Sequence, residues 1–342
     1  MYGVVLPGHK RVEGREFPTP EPASGQALIR MKASGLCGSD LRAIYHEHLG
    51  EGAERYQNVI AGHEPAGEVA AVGSGVFDFA PGDRVIVYHI AGCGTCRECR
   101  RGQMISCTSP RRQAYGWQRD GGHADYLLAE ASTLVHLPDE LSYVDGALIA
   151  CGFGTVYQAI VRAAVSGRDT VLIVGLGPVG LAAVMLAIAS GADVVAVDLV
   201  PARLRLAERL GARCTLLATD ETLSQVQECT RGRGTEVAFD CSGSQQGRKL
   251  CLEAARARGR VVYLGEGGTL TFAPSPLLLH KNLSIIGSWV CGLAEMEELS
   301  EHLARKGLHP ELTVTDRFEL RQAARAYETF AAGECGKVVI EM

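Results

Sequence analysis

The chain has no long apolar run. Its longest uninterrupted apolar stretch, Leu181 to Ala189, falls far short of the roughly 20 residues that span a bilayer. Met1 is followed by YGVVLPGHKRVEG, not by the apolar core of a signal peptide. An excess of charge of one sign is missing too. The net charge is -5 over 342 residues, with Lys and Arg scattered. There is thus no basic patch for nucleic acid and no acidic tail for a disordered arm. Repeats, low-complexity segments and Gly/Ser linkers are absent. What remains is an ordinary globular balance, 46% apolar and 21% charged, with length for two domains. The expectation is a soluble, cytoplasmic protein whose partners are small molecules, not nucleic acid or membrane.

Cysteine, in contrast, is plentiful, with 12 residues. Cys93, Cys96, Cys99 and Cys107 fall in the run GCGTCRECRRGQMISC, spaced C-x2-C-x2-C-x7-C. Four thiolates in one short loop suit a tetrahedral Zn²⁺ with no position left for substrate, which makes this a structural site. Two disulfides would close strained small rings. An iron–sulfur cluster also takes four thiolates, but its pattern usually carries Pro after the last Cys, where this chain has Thr108. Cys214, Cys229, Cys241, Cys251, Cys291 and Cys335 form no framework and read as small core hydrophobes of a reducing compartment.

The rhythm of the chain changes near Ser142. Before it, short apolar runs (ALIRMKA, GEVAAVG, DRVIVYHI, ADYLLAE) are separated by Gly, Pro and Asp turns, as in a β-rich domain. Ser142-Tyr143-Val144-Asp145 reads as a capping box opening a helix that reaches about Ala164. Beyond it, the apolar strands TVLIVG, DVVAVD, EVAFDC, RVVYLG and LSIIGSWV alternate with helical stretches over 178–190, 202–210, 221–230 and 245–257. That alternation predicts an α/β, doubly wound parallel sheet. The tail from about Trp289 is mixed and ends in the strand KVVIEM. The expected division is 1–145 with 289–342 as one domain, including a zinc lobe at about 92–108, and 146–288 as the other, with a cleft between them.

TVLIVGLGPVG sets Gly175, Gly177 and Gly180 in G-x-G-x-x-G spacing after a buried strand and before a helix. The first glycine permits a tight turn, the second lets backbone approach a pyrophosphate, and the third lets helix and strand pack closely. Pro178 and Val179 open the helix, whose N–H groups and dipole favour phosphate. The next strand ends at Asp198, a carboxylate suited to ribose hydroxyls and repulsive to a 2′-phosphate, which favours NAD over NADP. Arg203 lies where it could approach the adenine or serve as a solvated helix residue.

A second soft donor set is spread through the chain: Cys37 in ASGLCGSDLR, His63 in IAGHEPAGEV and Cys151 in ALIACGFGTV. Two Cys and one His suit Zn²⁺ with a fourth position open, although residues so far apart need the fold to bring them together. With CGSD at Cys37, GHEPAGEV at Gly62, PGDRV at Pro81, the four-cysteine lobe, GLGPVG and the closing GKVVI in order, the chain resembles, from end to end, the zinc-dependent medium-chain dehydrogenases, which include alcohol, polyol and threonine dehydrogenases.

The resemblance implies a GroES-like β-rich catalytic domain and a Rossmann NAD-binding domain. It also implies two zincs per chain, one catalytic on Cys37, His63 and Cys151 and one structural on the four lobe cysteines. Glu64 would sit near the catalytic zinc, and Asp40 would accept a hydrogen bond from the ligating imidazole. Ser39 would receive the substrate proton. Arg42 stands where several alcohol dehydrogenases use a relay histidine and cannot act as a base, which leaves water or His46 to end the relay. Ser288 and Lys337 would approach the cofactor, and His89 and Trp117 would line the substrate pocket, with Tyr88 and Tyr115 close to them. The activity implied is hydride transfer between an alcohol and NAD. Narrower variants are a threonine- or sugar-alcohol-specific dehydrogenase and an aldehyde reductase; a silent nucleotide-binding sensor is the non-enzyme alternative. A homo-oligomer, tetramer or dimer, is expected, with LSIIGSWV as a suitable edge for joining sheets.

Overall fold

The segment Gln26–Gly35 forms the central strand of a seven-stranded sheet, and its burial explains that position: Ala27, Leu28, Ile29, Met31 and Ala33 are all buried. The computed structural model describes the backbone of residues 1–342 and every side chain except that of Ala53. On one side the central strand pairs antiparallel with Pro65–Val72, in a register that sets Ser34 opposite Pro65. On the other side its first half takes Tyr126–Glu130 and its last three residues take Lys337–Glu341. Arg84–Val87 and Leu134–His136 extend the sheet one way; Val314–Glu319, parallel to Lys337–Glu341, extends it the other. Ile29, Met31, Val69, Val85, Val87 and Leu127 fill the core beneath.

A helical run follows, from Tyr143 to Arg162. Ser142 caps it as the sequence suggests: its hydroxyl accepts from Asp145 N at 3.0 Å, and the Asp145 carboxylate accepts from Ser142 N at 3.0 Å. Within the run, Ile149–Phe153 widens into a π turn, a feature common at functional sites. The run also corrects the sequence reading of apolar length. Its 20 residues suffice to cross a bilayer by length and composition, but 72% of the apolar window is buried inside the protein.

The second sheet has six strands, all parallel: Cys214–Leu217, Asp193–Asp198, Thr170–Val174, Thr235–Asp240, Ala255–Tyr263 and Ser284–Gly287 in spatial order. Numbered along the chain this is 3-2-1-4-5-6, the dinucleotide-binding order. Helices Pro178–Ala189, Pro201–Arg209, Thr222–Cys229 and Gln245–Ala254 connect successive strands. The last of these stops three residues before the expected Ala257, because Ala255 turns to extended geometry and begins the next strand. Cys214–Leu217 was not expected: it is a short, half-buried edge strand with no long apolar run. The hairpin Tyr2–Gly8 with Arg11–Glu16 and the helices Leu293–Lys306 and Ala323–Ala332 were not expected either.

Two compact units emerge. One comprises 1–154, 291–333 and 337–342; the other comprises 155–290 and 334–336. The divisions fall later in the chain than 145 and 288. Two of the cysteines read as loose core thiols, Cys214 and Cys229, are joined in a disulfide. The packing of helix Thr222–Cys229 against the strand that begins at Cys214 brings them together. The other ten cysteines carry free thiols.

Candidate functional site

Strand pairing assembles the metal cluster. Because Ser34 stands opposite Pro65, Cys37 just after one strand and His63 just before its neighbour lie at the same end of the pair. The π turn delivers Cys151 to that end. Ligand atoms of Cys37, His63, Glu64 and Cys151 all lie within 4.8 Å of one another. The sequence-expected set therefore converges in space.

The surroundings fix each donor. Asp40 is fully buried, and its Oδ1 lies 2.8 Å from His63 Nδ1. A carboxylate only accepts, so Nδ1 carries a hydrogen, and in the neutral ring Nε2 keeps the lone pair that a metal needs. The other Asp40 oxygen accepts from Cys37 N at 2.9 Å, tying both ligand segments to one side chain. Burial works against a charged His63, but the Asp40 carboxylate raises its pKa well above the ordinary value. The Cys151 thiol donates to Cys37, which lowers Cys37 strongly and raises Cys151. A metal ion would take the place of the proton shared between the two sulfurs. Ser39 Oγ stands 3.5 Å from His63 Nε2. The donors present fit Zn²⁺.

Lys337 departs from the expectation of a cofactor phosphate contact. It is 2% exposed; its ammonium pairs with the Glu64 carboxylate and donates to Leu36 O at 2.8 Å. The reason is again register. Val339 pairs with Gly35, and Gly35 N donates to Glu64 O at 3.0 Å, which brings Lys337 and Glu64 side by side. Burial raises Glu64 to about 7 against the pull of Lys337. Gly35, which sequence reasoning passed over, makes room for the pair, since a Cβ there would collide with Glu64. The signal was a small residue just ahead of the Cys37 motif.

His89 is 5% exposed, with its ring centroid 5.3 Å from that of His63. Its Nδ1 lies 2.9 Å from the carbonyl oxygen of Ala150, inside the π turn, and burial lowers its pKa to about 4. The Trp117 indole N–H donates to Glu54 O at 2.9 Å. Tyr88 and Tyr115 are wholly buried core residues, their hydroxyls paired with Cys291 O and Thr133. His46 is half-buried against Tyr45.

The four lobe cysteines also gather, with sulfurs within 4.8 Å of one another, in a segment whose only helices are single 3₁₀ turns. Thr95 and nearby N–H groups hold the Cys93 thiol down at about 5, whereas burial pushes Cys99 up to about 12. Four sulfurs this close cannot all ionise without a cation among them, so the set fits a structural Zn²⁺. A third group of possible ligands, Asp145, His309 and Glu311, is accounted for by structure. Asp145 caps the helix, accepts from Glu311 N at 2.8 Å and binds the His309 ring at 3.0 Å.

The second unit holds the nucleotide loop. Gly175 has φ +88°, and a Cβ on Gly180 would strike the Gly175 carbonyl. Gly177 caps the helix that begins with Pro178 and Val179, and nothing lies within 4 Å of where its Cβ would be. That open face above free helix N–H groups fits a pyrophosphate. Asp198, 7% exposed, accepts from Leu176 N and from Val200 N at 2.8 Å. Each oxygen keeps a lone pair for a ribose hydroxyl. Arg203 is anchored on Cys335 O at 2.8 Å and lies 4.0 Å from Asp198. Ser288, at the C-terminal end of the last strand, is buried with its hydroxyl unpaired. The Asp240–Ser242 turn was missed: Ser242 Oγ donates to Asp240 at 2.6 Å, and the turn packs against Gly175. Its signal was DCSGS directly after an apolar strand.

The chain is similar to known proteins along its whole length. Residues 23–139 match the alcohol dehydrogenase GroES-like domain, and residues 178–305 match the zinc-binding dehydrogenase domain. The chain is 51% identical to the uncharacterized zinc-type alcohol dehydrogenase-like protein YphC of Escherichia coli strain K12, over 99% of this chain and 98% of that one. It is 30% identical to the sorbitol dehydrogenase of Bacillus subtilis strain 168, over 99% and 97%. Among solved structures, the alcohol dehydrogenase TADH from Thermus sp. ATN1 superposes with TM-score 0.89 at 31% identity, covering 100% of this chain and 99% of that one. With both donor sets assembled and the dinucleotide loop intact, the chain belongs to the zinc-dependent medium-chain dehydrogenases, enzymes that exchange hydride between an alcohol and a nicotinamide cofactor.

Proposed function

We propose that this protein oxidises a secondary alcohol or polyol with NAD, binding two zinc ions per chain, one on Cys37, His63 and Cys151 and one on the lobe cysteines. The observation that carries this is the convergence of two thiols and an imidazole whose tautomer Asp40 has already selected. When bound, zinc supplies Lewis acidity toward the alcohol oxygen and the nicotinamide takes up hydride. The residues do the rest. Asp40 orients His63, and Ser39 receives the proton of the substrate hydroxyl and passes it outward. Lys337 holds Glu64 beside the ligands, where a carboxylate can adjust the local charge. Helix N–H groups after Gly177 bind the pyrophosphate. Asp198 binds the adenosine ribose and disfavours a 2′-phosphate, and the Ser288 hydroxyl donates to the nicotinamide end.

The same reading includes a cytoplasmic homo-oligomer. Cys241, Cys251, Cys291 and Cys335, outside both zinc sets, stay unpaired, which suits a reducing compartment, and Ser284–Gly287, last in its sheet, leaves an edge open to a second copy. The test is metal analysis paired with a panel of alcohols and polyols, following NADH formation. Two zincs per chain with turnover on one alcohol class are expected. A zinc-free enzyme with full activity, or no oxidation of any alcohol by the fully zinc-loaded protein, would overturn the reading.

A further inference from the structure

The Cys214–Cys229 disulfide is the one covalent cross-link among the described residues, and the chemistry above makes no use of it. It joins the first residue of the outermost strand of the six-stranded sheet, Cys214–Leu217, to the last residue of helix Thr222–Cys229. Both cysteines are half-buried, whereas the free thiols Cys251, Cys291 and Cys335 are buried. Partial exposure is what thiol–disulfide exchange requires. In a reducing compartment a disulfide is usually transient, and such pairs are catalytic or redox-sensing.

The link bears on the cofactor side of its sheet. The outer strand is four residues long and pairs with one neighbour only, Asp193–Asp198. Cys214 stands opposite Val195 and Leu217 opposite Asp198, and Ala218 N donates to Asp198 O at 2.9 Å. The far end of this short strand is therefore seated on the residue whose carboxylate is assigned to the ribose. A turn follows, closed by Thr222 Oγ1, which accepts from Thr219 N at 2.7 Å. The helix then runs back until Cys229 meets Cys214. The bond thus closes a ring of sequence separation 15 whose far turn lies against Asp198. Besides the disulfide, Arg213 holds the open end of that ring, donating to Cys229 O at 3.1 Å from an exposed side chain.

We propose that Cys214 and Cys229 form a reversible redox switch on cofactor binding. As a disulfide they hold the outer strand and its turn against Asp198 and favour NAD; as two thiols they let that end loosen and weaken NAD binding. The inference rests on the NAD-dependent reading above and adds its regulation. Closure occurs by exchange with a low-molecular-weight disulfide. One cysteine thiolate attacks it, forming a mixed disulfide and releasing one small thiol. The second thiolate attacks the mixed disulfide, forms the Cys214–Cys229 bond and releases the other small thiol. Two protein thiols are oxidised, and one small disulfide is reduced to two thiols that take up the two protons.

The experiment equilibrates the zinc-loaded enzyme in buffers running from reduced to oxidised glutathione and compares only samples that keep their zinc. Alkylation and peptide mass mapping should show the Cys214–Cys229 bond forming and opening within that range. NADH titration by fluorescence, which needs no alcohol, should give binding about five-fold tighter in the oxidised form, the lower end of coupling between two sites. The oxidised form should melt roughly 5 °C higher, the scale of a cross-link closing a ring of this size. In turnover the KM for NAD should follow the Kd, with kcat changed less than about two-fold, as for a loss of uniform binding. Cys214→Ser and Cys229→Ser should match the reduced wild type in every buffer; the wild type itself, reduced and reoxidised, supplies the comparison where a variant fails to fold. A bond that persists in excess reduced glutathione, a bond that never forms, or equal NADH affinity of the two forms would overturn the switch and leave the dehydrogenase reading standing. No NADH binding by either form would strike that reading as well.

Discussion

The Ser39 hydroxyl lies 3.5 Å from His63 Nε2, and Arg42 cannot supplement it as a base. Replacing Ser39 by Ala should lower kcat by about a hundred-fold or more, the usual scale for a lost proton-transfer group. Zinc content, measured by atomic emission, should stay intact; unchanged turnover would remove Ser39 from the mechanism. Asp198 has two duties, because its oxygens also hold Leu176 N and Val200 N. Asp198→Gly should therefore weaken NAD use and raise the NADP-to-NAD ratio of kcat/KM by roughly ten-fold or more, read from parallel initial rates. The Lys337–Glu64 pair is buried on both sides, with side chains 3% and 0% exposed. Removing one partner strands the other charge. Lys337→Met should cost about 3 kcal/mol, seen as a lower urea midpoint, and adding Glu64→Gln should recover part of it.

At the level of elements, the glycine loop separates packing from binding. Gly180 faces the Gly175 carbonyl at contact distance, so Gly180→Ala forces strand and helix apart and should lower both thermal stability and cofactor affinity. Gly177 has open space where its Cβ would go. Gly177→Ala should leave the melting temperature within about 2 °C, the scale of a change under 1 kcal/mol, while weakening NADH binding in a fluorescence titration. Equal effects from both variants would show that the open face at Gly177 is not where phosphate approaches. The π turn Ile149–Phe153 likewise serves two purposes, since one widened turn supplies both the Cys151 sulfur and the Ala150 carbonyl that sets His89.

For the molecule as a whole, the two sheets use their edges differently. The seven-stranded sheet gains an outer strand from the distant segment Val314–Glu319, which pairs beyond Lys337–Glu341. The six-stranded sheet ends at Ser284–Gly287, where Ile285 is 38% exposed and Leu279 and Trp289 in the flanking segments are 62% and 56% exposed. Apolar side chains along an unpaired edge favour pairing with another copy. Ile285→Lys should lower the mass found by sedimentation equilibrium. A wild-type monomer at micromolar concentration would remove the oligomer from the reading.

Local patterns were legible because their physics is local. Four cysteines within one short loop, three glycines between an apolar strand and a helix, and Ser142 followed by Asp145 each act over a few residues, and the structure shows each in the expected geometry. Strand and helix alternation likewise announced the parallel sheet. The sequence by itself determined which donor atoms the chain owns and which loops hold them. Only the tertiary structure decided which of them meet. The Ser34–Pro65 and Gly35–Val339 registers brought Cys37 to His63 and turned Lys337 toward Glu64. A carbonyl in a π turn chose the His89 tautomer. Pairing register and hydrogen-bond direction depend on segments that lie far apart along the chain, and residue spacing carries no record of them.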